Sequence, residues 1–178
     1  MRNEHTAGVE TRFAPEESGI VTGYAAVWGK RDAFGDVLQR GAFAASIAEH
    51  RTAGTRPLML WGHDPNRPLG TWTEIREDAT GLHVTGKLVM DSTAGRDAFA
   101  MLKAQALDGL SIGFRTKRAT ARPGGRTVHE VRLIEISLVT LPAQPAARAS
   151  VRSATTPAAA GLAAFIRRCA GKIGDHNA

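Results

Sequence analysis

Apolar and polar residues alternate along much of the chain, and the alternation predicts a body built mostly of β-strands. IVTGYAAVW, Ile20 to Trp28, reads as one strand; LMLW, Leu58 to Trp61, reads as a short buried one; LGTWTEIRED begins another at Leu69. In GLHVTGKLVM, Leu82, Val84, Leu88 and Met90 fall on one face at period two, so one side of that strand meets a core. Two stretches switch to helical spacing. GAFAASIAEH places Phe43 and Ile47 one turn apart, and STAGRDAFAMLKAQALDG places Ala94, Ala98, Met101 and Leu102 along one stripe. Ser92 or Asp91 can cap the second helix, and Gly109 can stop it, which delivers the chain straight into the next strand.

That strand opens with GLSIGF, Gly109 to Phe114. Gly109, Ser111 and Gly113 share one face, so the hydroxyl stands between two positions of bare backbone. A basic arm, RTKRATARPGGRTVHEVR, turns at Pro123 to Gly125 and leads into the long apolar strand TVHEVRLIEISLV. So short a turn predicts antiparallel pairing of the two strands. Strict alternation sets Ile134, Ile136 and Leu138 on one face of the last strand, and Leu133, Glu135, Ser137 and Val139 on the other. The expected organisation is a polar lead over 1–18, a β-rich body over 19–147, and an Ala- and Pro-rich linker over 148–178 ending in a short basic amphipathic helix around Gly161 to Ile173.

A chain of 178 residues is the size of one domain with a single core. Its one cysteine, Cys169, excludes an intrachain disulfide framework and suggests a reducing compartment. No stretch resembles a signal peptide or reaches the ~20 apolar residues of a membrane span, so the expectation is a soluble, intracellular protein without a membrane partner. The formal charge of +6 is unevenly placed. Residues 112–132 hold six Lys or Arg against Glu130, residues 143–178 hold five against Asp175, and the remainder is net acidic by three. The arm lacks aromatic residues to stack on bases, so specific nucleic-acid recognition is not expected; a solvated arm or an electrostatic docking patch fits better.

Three residues stand out chemically. Glycine weakens a strand, so two of them flanking Ser111 indicate either a bulge or barrel bend, or a close approach that leaves the serine open as a nucleophile. His63 follows the LMLW strand, in WGHDPNRPLG, where it can be a plain turn residue or a base aimed at a neighbouring strand. Glu135 interrupts LIEISLV, and a carboxylate so enclosed needs a partner. It can form a structural ion pair with Arg132 or Arg115, or it can hold His63 as the acid of a Ser, His and acid triad. Among the other histidines, His5 and His176 lie in the tails, His50 ends a helix and His83 faces away from its strand's apolar side; His129 is the one serious rival base. HExxH, CxxC, the P-loop and GxGxxG are all missing, so no metal or cofactor is expected. GLSIG matches the G-x-S-x-G pattern but follows a helix and opens a strand, the reverse of the nucleophile elbow's setting.

In order, GYAAVWGKRDAFGDVLQRGAF, LMLWGHDPNRPLGTW, GLHVTGKL, LDGLSIGF and LIEISLVTLPAQPAA make the chain resemble the prohead proteases of tailed phages over roughly 19–147. These are capsid-maturation serine peptidases whose fold is similar to that of the herpesvirus assemblins. The resemblance implies an α+β fold, a mostly antiparallel β-barrel of about six to seven strands with a few peripheral helices. It maps the nucleophile onto Ser111, the base onto His63 and the acid onto Glu135, where assemblins place a second histidine; His129 lies six residues too early for that alignment. The glycines would then leave room for a peptide, and an amide near Leu141 to Ala143 would supply an oxyanion donor.

The implied function is a serine endopeptidase acting on the scaffold segments of the major capsid protein or on a separate scaffold protein. It would work in the host cytoplasm inside the assembling prohead, as a homodimer, with the portal or prohead shell as further contacts. Self-cleavage from about Ala147 is also implied. The competing readings are a non-enzymatic β-barrel that binds scaffold or nucleic acid through the basic arm and tail, and a serine hydrolase of small esters.

Overall fold

The computed structural model describes residues 19–151. The polar lead, the basic C-terminal helix, Cys169, His5 and His176 lie outside the described residues. Eight strands and two helices follow in the order β1 (Ile20–Val27), β2 (Asp36–Leu38), α1 (Ala44–Ala53), β3 (Leu58–Trp61), β4 (Asp64–Glu77), β5 (Gly81–Leu88), α2 (Thr93–Lys103), β6 (Gly109–Arg122), β7 (Gly125–Val139) and β8 (Ala149–Val151). All eight strands join one sheet in the order β2-β7-β3-β4-β5-β1-β8, with β6 also paired to β7. The pairing is antiparallel except where β2 and β3 run parallel to β7. Because β1 comes round against β6, the sheet curls into a barrel that stays open between those two strands.

The expected strands are present, including the hairpin through Pro123 and Gly124, in which Arg122 faces Gly125. The two beyond the expected six to seven are β2 and β8. Each is three residues long, too short to show a period. β8 pairs with β1, so the body runs on past residue 147 to Val151, and Ala147 itself is fully buried. β4 starts at Asp64 rather than Leu69, because the chain re-enters the sheet immediately after a tight turn despite Pro65 and Pro68.

The core gathers Trp72, Phe43, Met59, Leu69, Leu82, Leu88, Leu110, Ile136 and Leu138, all buried within the curl. Each such aliphatic or aromatic side chain removed from water contributes roughly 1.5 to 3 kcal/mol. Ser92 caps α2 by accepting the Gly95 amide at 2.9 Å. The buried face of α2 is Gly95, Ala98, Phe99 and Leu102, whereas Met101 is exposed. The helix ends at Lys103 and Gln105 takes the left-handed conformation after it, so Gly109 is the first residue of β6 and not a helix stop.

One irregularity in β7 changes its faces. Gly113 faces Glu135 while Phe114 faces Leu133, so Ile134 is an extra residue with no partner on β6. Across this bulge Leu133 turns into the core with Ile136 and Leu138, and Ile134 is 39% exposed. The alternation predicted the opposite for both. Helix α1 satisfies the displaced backbone: Ser46 Oγ accepts the Leu133 amide at 2.9 Å, and His50 Nε2 donates to the Leu133 carbonyl at 3.0 Å.

Candidate active site

β3 and β4 are joined by the two residues Gly62 and His63, between the paired positions Trp61 and Asp64. Both linkers have positive φ, 60° and 65°, which is the type I′ turn suited to a two-residue hairpin. For histidine this conformation costs roughly 1 to 2 kcal/mol. Two hydrogen bonds to β7 hold it: the Gly62 amide donates to the Leu138 carbonyl at 2.9 Å, and the His63 amide donates to Ser137 Oγ at 3.0 Å. Because β3 lies parallel beside β7, the turn places the imidazole over that strand.

His63 Nδ1 stands 2.6 Å from Glu135 Oε1, and the Ser137 hydroxyl donates to Glu135 Oε2 at 2.6 Å. An ionised carboxylate only accepts, so His63 Nδ1 is the donor in this contact, which leaves Nε2 as the acceptor in the neutral tautomer. Glu135 is 7% exposed and Ser137 is fully enclosed, whereas the His63 side chain is 45% exposed, so the contact is buried on the carboxylate side and open on the imidazole side. Neither Arg132 nor Arg115 partners the carboxylate; His63 and Ser137 take its two oxygens.

Ser111 sits on β6 directly across from Ser137, and its side chain lines a cleft of about 760 Å³ together with His63. Among the described residues no direct hydrogen bond joins Ser111 to His63. Ala25, Ala26, Ile112 and Phe114 form apolar walls, and Phe34 and Leu141 stand at 81% and 89% exposure on its lips. At the far end Arg126 forms a paired contact with buried Asp36, Nε to Oδ1 at 2.9 Å and Nη2 to Oδ2 at 2.5 Å. This hydrogen-bonded carboxylate raises the Arg126 pKa above the ordinary arginine value.

The glycines flanking Ser111 face the protein's own atoms rather than open space. A Cβ on Gly113 would overlap Glu135 Oε1, and one on Gly109 would stand 2.6 Å from the Val139 carbonyl oxygen and 2.8 Å from Pro142 Cδ. The room expected for a peptide is therefore occupied, and the acid of the site occupies part of it.

The other described histidines are engaged elsewhere. His129 bonds Thr120 Oγ1 at 3.0 Å on the exposed hairpin arm, roughly 26 Å along β7 from the position facing Ser111. His83 contacts Thr22 at 3.3 Å and packs edge-on against Tyr24, and His50 bridges Thr55 to β7. Part of the basic arm is neutralised by Lys117–Glu49 and Arg118–Glu130 pairs. Among the described residues no group of three His, Cys, Asp or Glu could hold a metal ion, and no helix is long and apolar enough to cross a membrane. Ser137 is the residue of the site that sequence reasoning missed. It stood in view on the Glu135 face, but nothing in its spacing distinguished a clamp from packing.

Residues 7–160 match the family of caudovirus prohead serine proteases, and the chain belongs to that family. It is 32% identical over 140 residues to the prohead protease of Enterobacteria phage HK97, covering 75% of this chain and 60% of that protein. It is 27% identical over 114 residues to the prohead protease of Escherichia phage T5, covering 63% of this chain and 53% of that protein. A capsid polyprotein of Pseudomonas phage PAJU2 is 28% identical over 151 residues, 79% of this chain but 21% of that protein. The chain thus spans about half to three-fifths of the two prohead proteases.

Two solved structures share the fold. The bacteriophage T4 capsid assembly protease superposes with a TM-score of 0.58 at 12% identity, covering 69% of this chain and 82% of that one. The KSHV protease, solved in complex with a hexapeptide phosphonate inhibitor, superposes at 0.52 with 14% identity, covering 84% and 76%. The assemblin-like barrel inferred from the sequence is thereby borne out.

Proposed function

We propose that this chain is a serine endopeptidase of phage capsid maturation, with Ser111 as nucleophile, His63 as general base and Glu135 as the acid that orients it. The observation that carries the reading is the 2.6 Å contact of His63 with the buried carboxylate of Glu135, on the wall of the cleft that Ser111 also lines. His63 Nε2 takes the Ser111 proton as the oxygen attacks the scissile carbonyl carbon. The imidazolium then protonates the leaving amine, and water repeats the sequence to free the acyl group. Glu135 stays ionised throughout and stabilises the imidazolium. Pro142 has no N–H, so the oxyanion donors in this reading are the backbone amides on either side of it, those of Leu141 and Ala143, which line the same cleft.

The substrate binds as an extended strand along the free edge of β6. That edge carries the Leu110 amide bond to the Ala147 carbonyl and, among the described residues, has no strand partner from Ile112 onward. The opposite lip is closed to such pairing, because the Gln144 side-chain amide caps Val27 of β1, accepting from its N–H at 2.6 Å and donating to its carbonyl at 3.0 Å. The substrates in this reading are scaffold segments of the capsid protein, or a scaffold protein, cut within the prohead. It is supported by the names of the relatives, one of which is a capsid polyprotein. Homodimer formation and an encounter with the portal or shell are further parts of it, read out by sedimentation of the purified chain and of proheads.

A fluorophosphonate probe tests the chemistry. The expected result is a single adduct on the peptide containing Ser111 that vanishes in His63→Ala, together with cleavage of co-expressed capsid protein. Labelling that persists in Ser111→Ala, or capsid protein left intact by a chain that does label, would overturn it.

A further inference from the structure

Ser137 makes more contacts in the site than packing requires. A serine hydroxyl has one proton to give and lone pairs to receive, and here both uses are directed by the partners. The carboxylate of Glu135 cannot donate, so the Ser137 proton goes to Oε2 at 2.6 Å; a backbone amide cannot accept, so the His63 N–H donates to Ser137 Oγ at 3.0 Å. Glu135 Oε1 in turn accepts from His63 Nδ1 at 2.6 Å. The hydrogen bonds close a ring that begins at the backbone of His63 and returns to its side chain. Ser137 is fully enclosed and sits opposite Ser111 in the β6–β7 ladder.

We infer that Ser137 is a positioning residue that locks the imidazole of His63 over the cleft by fixing both the turn that carries it and the carboxylate that holds it. The inference rests on the reading of His63 as the base. His63 needs such a lock because its φ of 65° is unfavourable for a side chain with a Cβ, and the turn has only two residues with which to resist rotation. The hydroxyl also fixes the plane of the Glu135 carboxylate, which has a buried second oxygen that would otherwise lack a donor. In acylation the Ser137 proton stays on its own oxygen; the proton that moves passes from Ser111 to His63 Nε2.

Ser137→Ala keeps the strand and removes the ring. The expected result is a 10- to 100-fold fall in kcat per probe-titrated site with KM within about twofold, the scale of a misplaced base. The downfield proton resonance of His63 Nδ1, observed by NMR in the full chain, should shift upfield or broaden. Ser137→Cys, which keeps the size with a weaker donor, should fall between the parent and the alanine variant in both readouts, and it carries the test if the alanine variant does not fold. A resonance and a kcat indistinguishable from the parent in either folded variant would overturn the inference. The resonance needs no turnover, so recording it in a Ser111→Ala background decides the role of Ser137 even if the nucleophile has been misassigned.

Discussion

Gly113 faces Glu135 across the β6–β7 ladder, and the carboxylate fills the space where a side chain on residue 113 would begin. The glycine two residues beyond the serine is thus explained by the acid and not by the substrate. Gly113→Ala is expected to push the carboxylate off His63, lowering proteolysis at least ~10-fold. The fluorophosphonate labelling rate, measured alongside the thermal midpoint, checks this; normal labelling in a folded variant would contradict it.

Glu135→Gln tests the tautomer argument. An amide can present its N–H to Nδ1 and so favour the wrong ring tautomer, with the proton on Nε2 where Ser111 needs an acceptor. The expected loss is about three to four orders of magnitude in kcat with little change in KM. Steady-state kinetics on a capsid-derived peptide would show it.

Self-trimming has a structural bound. Ala147 is fully buried and residues 149–151 pair with β1, so a cut there would have to open the sheet. The parent chain is expected to lose mass only from sequence beyond Val151, and Ser111→Ala to keep it. Intact-mass measurement reads the boundary directly, and a parent product ending before residue 148 would refute the bound.

Asp78 predicts an acid-sensitive term in stability. Burial works against its charge, but hydrogen bonds from the Thr80 and Gly81 amides, from Tyr24 and from Arg76 outweigh it and lower its pKa to about 2 from 3.8. A carboxylate whose pKa is depressed on folding stabilises the protein above its unfolded pKa, and that contribution fades as pH falls from about 3.8 to about 2. Asp78→Ala should therefore cost on the order of 1 kcal/mol at neutral pH, allowing for the partial exposure of the group. The deficit should shrink steeply by pH 2 and close below it. Denaturant titration at the two pH values checks this, and a deficit that persists in acid would exclude the mechanism.

Much of this was legible in the chain because the relevant signals are local. β5 showed its core face in Leu82, Val84 and Leu88, α2 showed its cap in Ser92, and the PGG turn announced the β6–β7 hairpin. WGHD, GLSIGF and LIEIS drew attention to His63, Ser111 and Glu135, the last two because a buried acid and a serine between glycines are costly without a reason. What stayed hidden depends on partners distant in sequence. The bulge at Ile134 exists because Ser46 and His50 of α1 receive the Leu133 backbone, and no spacing within β7 reports that. Strands β2 and β8 form only because neighbours accept three residues each. Ser137 resembles any small buried residue until His63 is folded over it.

The parallel pairing of β3 with β7 joins residues 72 positions apart at the His63–Glu135 contact. A chain emerging from the ribosome therefore carries His63 well before it carries Glu135 and the strand that braces the turn. Synthesis must pass Glu135 before this contact can form, and Ser137 and Leu138 before the turn that carries His63 can be braced.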